Sequence, residues 1–171
     1  ETRTKAARII DSEARRLKRQ VDELLELSRM QSGQARLAKE PVDMSDVLTR
    51  SVDICSVQAR EKQVELYLNI APGLIVDGDA DRLEQVFNNL LDNAIKNSPA
   101  GSAVSITSKN DGNLARVTVT DSGPGISAEH LPHVFERFRQ ADSSFSREYG
   151  GLGLGLAIAR ELIELHGGTV H

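Results

Sequence analysis

From Thr4 to Ser32 the chain carries neither proline nor glycine, and Ile10, Ala14, Leu17, Val21, Leu24 and Ser28 recur at alternating spacings of four and three residues. That alternation places these six positions on one seam of a single long helix. Ile9, Leu25 and Leu27 widen the seam, so the helix is predicted to pack in a bundle of several helices. A helix cannot bury such a stripe alone; it needs a partner hairpin, a second copy of the chain, or both. Ser32-Gly33 ends it, and Glu40-Pro41 forces an extended break before a new element begins.

The pattern then changes. Asp43 is placed to cap a helix from Met44 to about Gln63 with Val47, Leu48, Val52, Ile54 and Val57 as its apolar face, and "VELYLNI" alternates as a half-buried strand does. Asp79 can cap the helix "ADRLEQVFNNLLDNAIKNS", which stops where Pro99 forbids continuation. "AVSITSK" and "ARVTVTD" flank Asn110-Asp111-Gly112, a hairpin signal. A short helix is predicted after Ser127, then a polar stretch from Arg139 to Tyr149, then "GGLGLGLA" leading into a helix that runs to His166. Gly167-Gly168 ends it, and "TVH" reads as the start of a strand. Strands and helices in separate layers make the expected class α+β.

A chain of 171 residues accommodates one ordinary domain with a helical appendage. A net charge of −4 argues against a general nucleic-acid binder, which needs a basic excess. The lone Cys55 cannot form an internal disulfide, and its apolar surroundings in sequence suit a small buried hydrophobe. No apolar run approaches the length of a membrane span.

Asn89, Asn93 and Lys96 interrupt the apolar pattern of the "NNLLDNAIKNS" helix at four- and three-residue spacing, so they share one face, with Asn97 beside them. Such a face is either solvated surface or a ligand site. Asparagine is a weak helix former, its carbonyl can ligate Mg2+ when phosphates supply the charge, and a lysine one turn on can meet those phosphates. Asp121 ends an apolar strand ahead of Ser-Gly-Pro-Gly. It is either a turn former or a carboxylate able to accept from an exocyclic amine such as that of adenine. Gly151, Gly153 and Gly155 open a helix, where main-chain amides attract anions. The run lacks both the Lys of a P-loop and the spacing of the dinucleotide fingerprint. His130 and His133 have no third ligand in sight and read as surface residues.

Taken in order, "NNLLDNAIKNS", "DSGPG", "FERF" and "GLGLGLA" resemble the N box, first glycine box, F box and second glycine box of the catalytic and ATP-binding domain of sensor histidine kinases. Upstream, "IIDSEARRLKRQVDELLELSRMQSG" is similar to the second helix of that family's dimerisation hairpin, and "EPVDMSDVL" to the connection that follows it. The resemblance implies a Bergerat-type two-layer α/β sandwich preceded by a long helix of a dimeric four-helix bundle. Residues 1–34 would be the hairpin helix and 35–171 the catalytic domain. The phosphoacceptor His motif is not found, and the last catalytic strands are expected to be missing.

By the same resemblance the cofactors are ATP and Mg2+. Asn93 would ligate Mg2+ with Asn89 assisting, and Lys96 and Arg147 would meet phosphate. Asp121 would select adenine, with Gly123 and Gly125 letting the main chain close on the base. Ile126 and Phe138 would line the nucleotide, residues 139–152, ending in Gly151 and Leu152, would form a mobile lid hinged at the glycine boxes, and Gly153 and Gly155, with Leu154 between them, would offer amides at the start of the following helix. Asn97 stands where many members carry an aromatic residue, Gln140 where many carry Arg, and Leu152 where a small or hydroxylated residue is common. The implied activity is transfer of the ATP γ-phosphoryl group to a hairpin histidine, for relay to an aspartate of a response-regulator receiver domain. A homodimer through the N-terminal helix, a cytoplasmic location, no nucleic acid and no membrane segment in this chain complete the expectation. Two other readings keep the pocket: a gyrase- or MutL-like ATPase, which would want a Glu where Asn89 stands, and a non-catalytic nucleotide-binding scaffold.

Overall fold

The computed structural model describes residues 2–139 and 152–171. Gln140, Arg147 and Gly151 lie outside the described residues.

A long helix α1 (Thr2–Gln31) ends at Gly33, whose φ of +66° lies in the left-handed region that glycine enters without steric cost. Then follow β1 (Glu40–Asp43), α2 (Met44–Glu61), β2 (Glu65–Asn69), β3 (Ile75–Gly78), α3 (Ala80–Asn97), β4 (Ala103–Asp111) and β5 (Leu114–Thr120). One turn of 3-10 helix (Leu131–His133) and the helix α4 (Gly155–Leu165) complete the chain. Both expected caps form: Asp43 Oδ1 accepts from the Ser45 amide at 2.8 Å and Asp79 Oδ1 from the Arg82 amide at 3.2 Å.

The main sheet has the order β2-β4-β5, with β2 parallel to β4 and β4 antiparallel to β5. Parallel neighbours require a crossover, and the route through α3 supplies it. β1 and β3 form a separate antiparallel pair. α2 and α3 cover one face of the main sheet, burying Val47, Leu48, Leu91, Ile95, Val104 and Ile106 in one core. A second cluster joins Leu27 and Met30 of α1 to Val86 of α3 and to Leu154, Ile158, Ala159 and Leu162. These helices over a mixed sheet are the α+β architecture expected from sequence.

Several local expectations need correction. Ile54 and Val57 do not belong to the buried face of α2, which carries Met44, Val47, Leu48, Ser51, Cys55 and Ala59 instead. With that face in the core, the polar edge of α2 lies against α3, where Arg50 pairs with Glu84 at 3.0 Å and Gln58 donates to Asp92 at 2.9 Å. Leu27 leaves the α1 seam to enter the second cluster, while Ile10, Leu17, Val21, Leu24 and Leu25 stay exposed. The segment after Ser127 forms only a 3-10 turn, and "TVH" is not a strand. β3 was not anticipated at all, because "IVDG" is too short to show alternation.

Candidate functional site

α3 is the platform. Its N-terminus is clamped from three directions by Asp79 and its neighbours. Asp79 Oδ2 accepts from the Ala38 amide at 2.9 Å, while the Asp79 amide donates to His166 Nε2 at 3.0 Å. His166 Nδ1 in turn lies 2.7 Å from the Leu162 carbonyl, so the ring ties the end of α4 to the start of α3. Partial desolvation works to raise the Asp79 carboxyl. The amides of Ala38 and Arg82 and the Arg82 guanidinium outweigh it and hold the group below its usual value.

Along the helix, Asn89, Asn93 and Lys96 are half-buried and Asn97 is exposed. Asn89 Nδ2 is buried and finds no hydrogen-bond partner among the described residues, an expensive condition for a donor unless a ligand supplies the acceptor. The Asn89 side chain packs beside Gly155, where an added Cβ would lie 3.7 Å from Asn89 Cγ and Oδ1. This brings the asparagine face of α3 against the first turn of α4, whose amides have no intrahelical partners; Leu154 caps that turn without a side-chain bond. Lys96 Nζ is paired with Asp92 Oδ2 at 2.5 Å, one turn back on α3, so meeting a phosphate requires exchanging that carboxylate for the new anion.

The C-terminal end of α3 meets the Asp121 turn. Asp121 Oδ1 accepts from the Gly123 amide at 2.7 Å, which leaves further acceptor capacity on the carboxylate. A Cβ on Gly123 would lie 2.7 Å from that oxygen and 3.0 Å from the Asn97 carbonyl, so only glycine permits this approach. Gly125 has φ +77° and Ile126 is exposed. On the opposite side the Phe138 amide donates to the Gly153 carbonyl at 3.2 Å, and both residues have positive φ, +61° and +69°. The two ends of the 139–152 segment are thereby joined, with Leu152 half-buried and Leu154 fully buried beside α3.

Gly155 thus meets Asn89 of α3, and Gly123 of the Asp121 turn meets the C-terminal end of the same helix, which carries Asn93 and Lys96, while Phe138 is joined to Gly153 at the start of α4. The predicted Arg147 and Gly151 lie outside the described residues. Asp92, which holds Lys96, and the Asp79–His166 link were not singled out from sequence. The former was readable from four-residue spacing; the latter joins positions 87 residues apart and leaves no local signal. His130 and His133 engage Ser127 and Glu136 through Nδ1, at 2.7 and 2.6 Å. No group of three His, Cys, Asp or Glu residues suited to a metal occurs among the described residues, so a cation here would depend on amide and phosphate oxygens. The thiol of Cys55 is pushed up to about 11 by burial and, secondarily, by Asp92, in keeping with a packing role.

The chain matches the family described as histidine kinase-, DNA gyrase B-, and HSP90-like ATPase over residues 78–171. The sensor-like histidine kinase SenX3 of Mycobacterium tuberculosis is 39% identical over 158 residues, covering 92% of this chain and 38% of that protein. The structure of full-length ShkA in complex with AMPPNP superposes with a TM-score of 0.84 at 28% identity, covering 98% of this chain and 35% of that one. Histidine kinase ThkA in complex with response regulator protein TrrA gives 0.74 at 27% identity, covering 98% and 46%. The chain spans well under half the length of the curated relatives it matches. Among the described residues, no helix is long and apolar enough to cross a membrane. The family match takes in more than half of the chain, and in it the segments that build this site; the chain belongs to the histidine kinase-, DNA gyrase B- and HSP90-like ATPase family and carries the ATP-binding catalytic core of a sensor histidine kinase.

Proposed function

We propose that this core binds Mg·ATP between α3, the Asp121 turn and the start of α4, and that in the whole protein it passes the γ-phosphoryl group to a histidine of a dimerisation hairpin. The observation that carries the reading is the buried Asn89 Nδ2, a donor without a partner among the described residues, on a side chain that packs beside Gly155 in the first turn of α4, where main-chain amides attract anions. Asn93 would offer its amide oxygen to Mg2+, and Asp121 its free acceptor capacity to the adenine amino group. Gly123 and Gly125 let the main chain approach the base. Lys96, released from Asp92, and Arg147 would meet the phosphates. Mg2+, when bound, neutralises charge on the transferring phosphate oxygens. The residues of the chain hold and orient the nucleotide, since phosphoryl transfer asks for positioning and charge compensation more than for covalent chemistry.

Residues 1–34 would be the second helix of that hairpin, its exposed seam closing a homodimeric bundle, and residues 35–171 the catalytic domain. The AMPPNP complex of ShkA supports the nucleotide, and the ThkA–TrrA complex supports a response-regulator receiver as the onward acceptor. Use of ATP would place the module in the cytoplasm.

The test is Asn93→Ala. A fluorescent ATP analogue titrated with and without MgCl2 should lose at least tenfold of its Mg2+-dependent affinity, with thermal unfolding unchanged. Unaltered Mg2+ dependence would refute the assignment of the metal ligand.

A further inference from the structure

Asn97 closes α3, and its side chain folds back along the helix. Its Nδ2 lies 2.8 Å from the Asn93 main-chain oxygen and 3.2 Å from Asn93 Oδ1. A main-chain carbonyl can only accept, so the first contact fixes which end of the Asn97 amide is the donor. The second contact then fixes the Asn93 amide, because the atom facing that donor must be oxygen.

We infer that Asn97 is a positioning residue for Asn93: it holds the Asn93 amide with its oxygen presented and one lone pair spare, and prevents the rotation that would offer a cation the NH2 group instead. The inference rests on the reading of Asn93 as the Mg2+ ligand. A carbonyl oxygen carries two lone pairs, so a single donor from Asn97 leaves room for a metal. The approach of the same residue to the Asp121 turn runs through its main chain, where the Asn97 carbonyl lies 3.0 Å from the Cβ position of Gly123. Replacing the Asn97 side chain therefore removes the grip on Asn93 and leaves the turn that would read the base in place.

The experiment titrates MgCl2 into the chain at a fixed concentration of fluorescent ATP analogue, and repeats the nucleotide titration in EDTA. Asn97→Leu keeps the side-chain volume and deletes the donor. Its Mg2+ affinity should fall about three- to tenfold, the scale of one neutral hydrogen bond, with affinity in EDTA and thermal unfolding unchanged. Asn97→Gln, which restores a donor, should recover most of the loss. Wild-type Mg2+ dependence in Asn97→Leu, beside an Asn93→Ala variant that has lost it, overturns this inference alone. Equal losses with Mg2+ and in EDTA also overturn it, since they would mark a structural role. An Asn93→Ala variant with intact Mg2+ dependence overturns both this inference and the reading beneath it.

Discussion

α1 and α3 are both amphipathic helices with a leucine-rich stripe, but their stripes meet different fates. In α3, Leu83, Val86, Phe87, Leu91, Ala94 and Ile95 are all buried, against α2 and the sheet on one side and α4 on the other. Among the described side chains of α1, only Leu27 and Met30, at its C-terminal end, reach that environment; Leu17 and Val21 remain 60% and 52% exposed. α3 draws its stability from within the chain. α1 is anchored at one end, where Glu26 meets Arg82 and Gln85 of α3, and presents the rest of its seam outward. A contiguous exposed seam of this kind marks an interaction surface, and helical periodicity alone cannot distinguish the two cases.

The most severe way to break the comparison is to truncate one leucine in each helix. Leu91→Ala removes a side chain that is 1% exposed and should cost about 2–5 kcal/mol in urea unfolding of the chain. Leu17→Ala should stay within about 0.5 kcal/mol, its effect appearing in solution mass if the seam closes a dimer. Equal destabilisation would mean that the α1 seam is covered in a way the described contacts do not show.

The glycines at the start of α4 give a second, smaller contrast. Gly153 has φ +69°, and a Cβ there would lie 2.7 Å from the Arg139 carbonyl. Gly153→Ala should therefore lose roughly 1–2 kcal/mol from backbone strain alone, together with nucleotide affinity. Gly155 has no such strain, and its Cβ position is at ordinary contact distance from Asn89. Gly155→Ala should leave the melting temperature unchanged and weaken nucleotide binding by crowding the Asn89 amide. A fall in stability in Gly155→Ala as large as in Gly153→Ala would erase the distinction between hinge and pocket.

The smallest effect concerns the clamp at the start of α3. The folded-state pKa of Asp79 lies below its ordinary 3.8. Its ionised form therefore adds stability that is fully present above the ordinary carboxylate range and is lost as pH falls through the depressed value. Asp79→Asn should be less stable than the parent at neutral pH, with the gap closing below about pH 4. A gap that is independent of pH would show that the carboxylate charge contributes nothing to the clamp.

Much of the fold was legible where the cause is local. Asp43 and Asp79 announce their helices because a capping oxygen serves an amide two or three residues on. The β4–β5 hairpin is legible because Gly112, at φ +68°, needs only its own backbone freedom. The asparagine face of α3 was visible as a break in periodicity, and Asp121 as a carboxylate at a strand end. What escaped notice depends on residues far apart: the rotation of α2 that leaves Ile54 and Val57 exposed, the pairing of β1 with β3, and the ring of His166 against the Asp79 amide.

The sequence by itself determined the helices α1 to α4 and the strands β2, β4 and β5, and which polar residues share a face, because periodicity and capping act over a few residues. Only the tertiary structure decided that Asn89 packs beside Gly155 with a donor that has no partner among the described residues, that Lys96 rests on Asp92, that Asn97 grips Asn93, and that α1 buries its end and exposes its seam. Those outcomes turn on which surfaces exclude water from one another, and burial is a property of the assembled fold, to which no short stretch of chain has access.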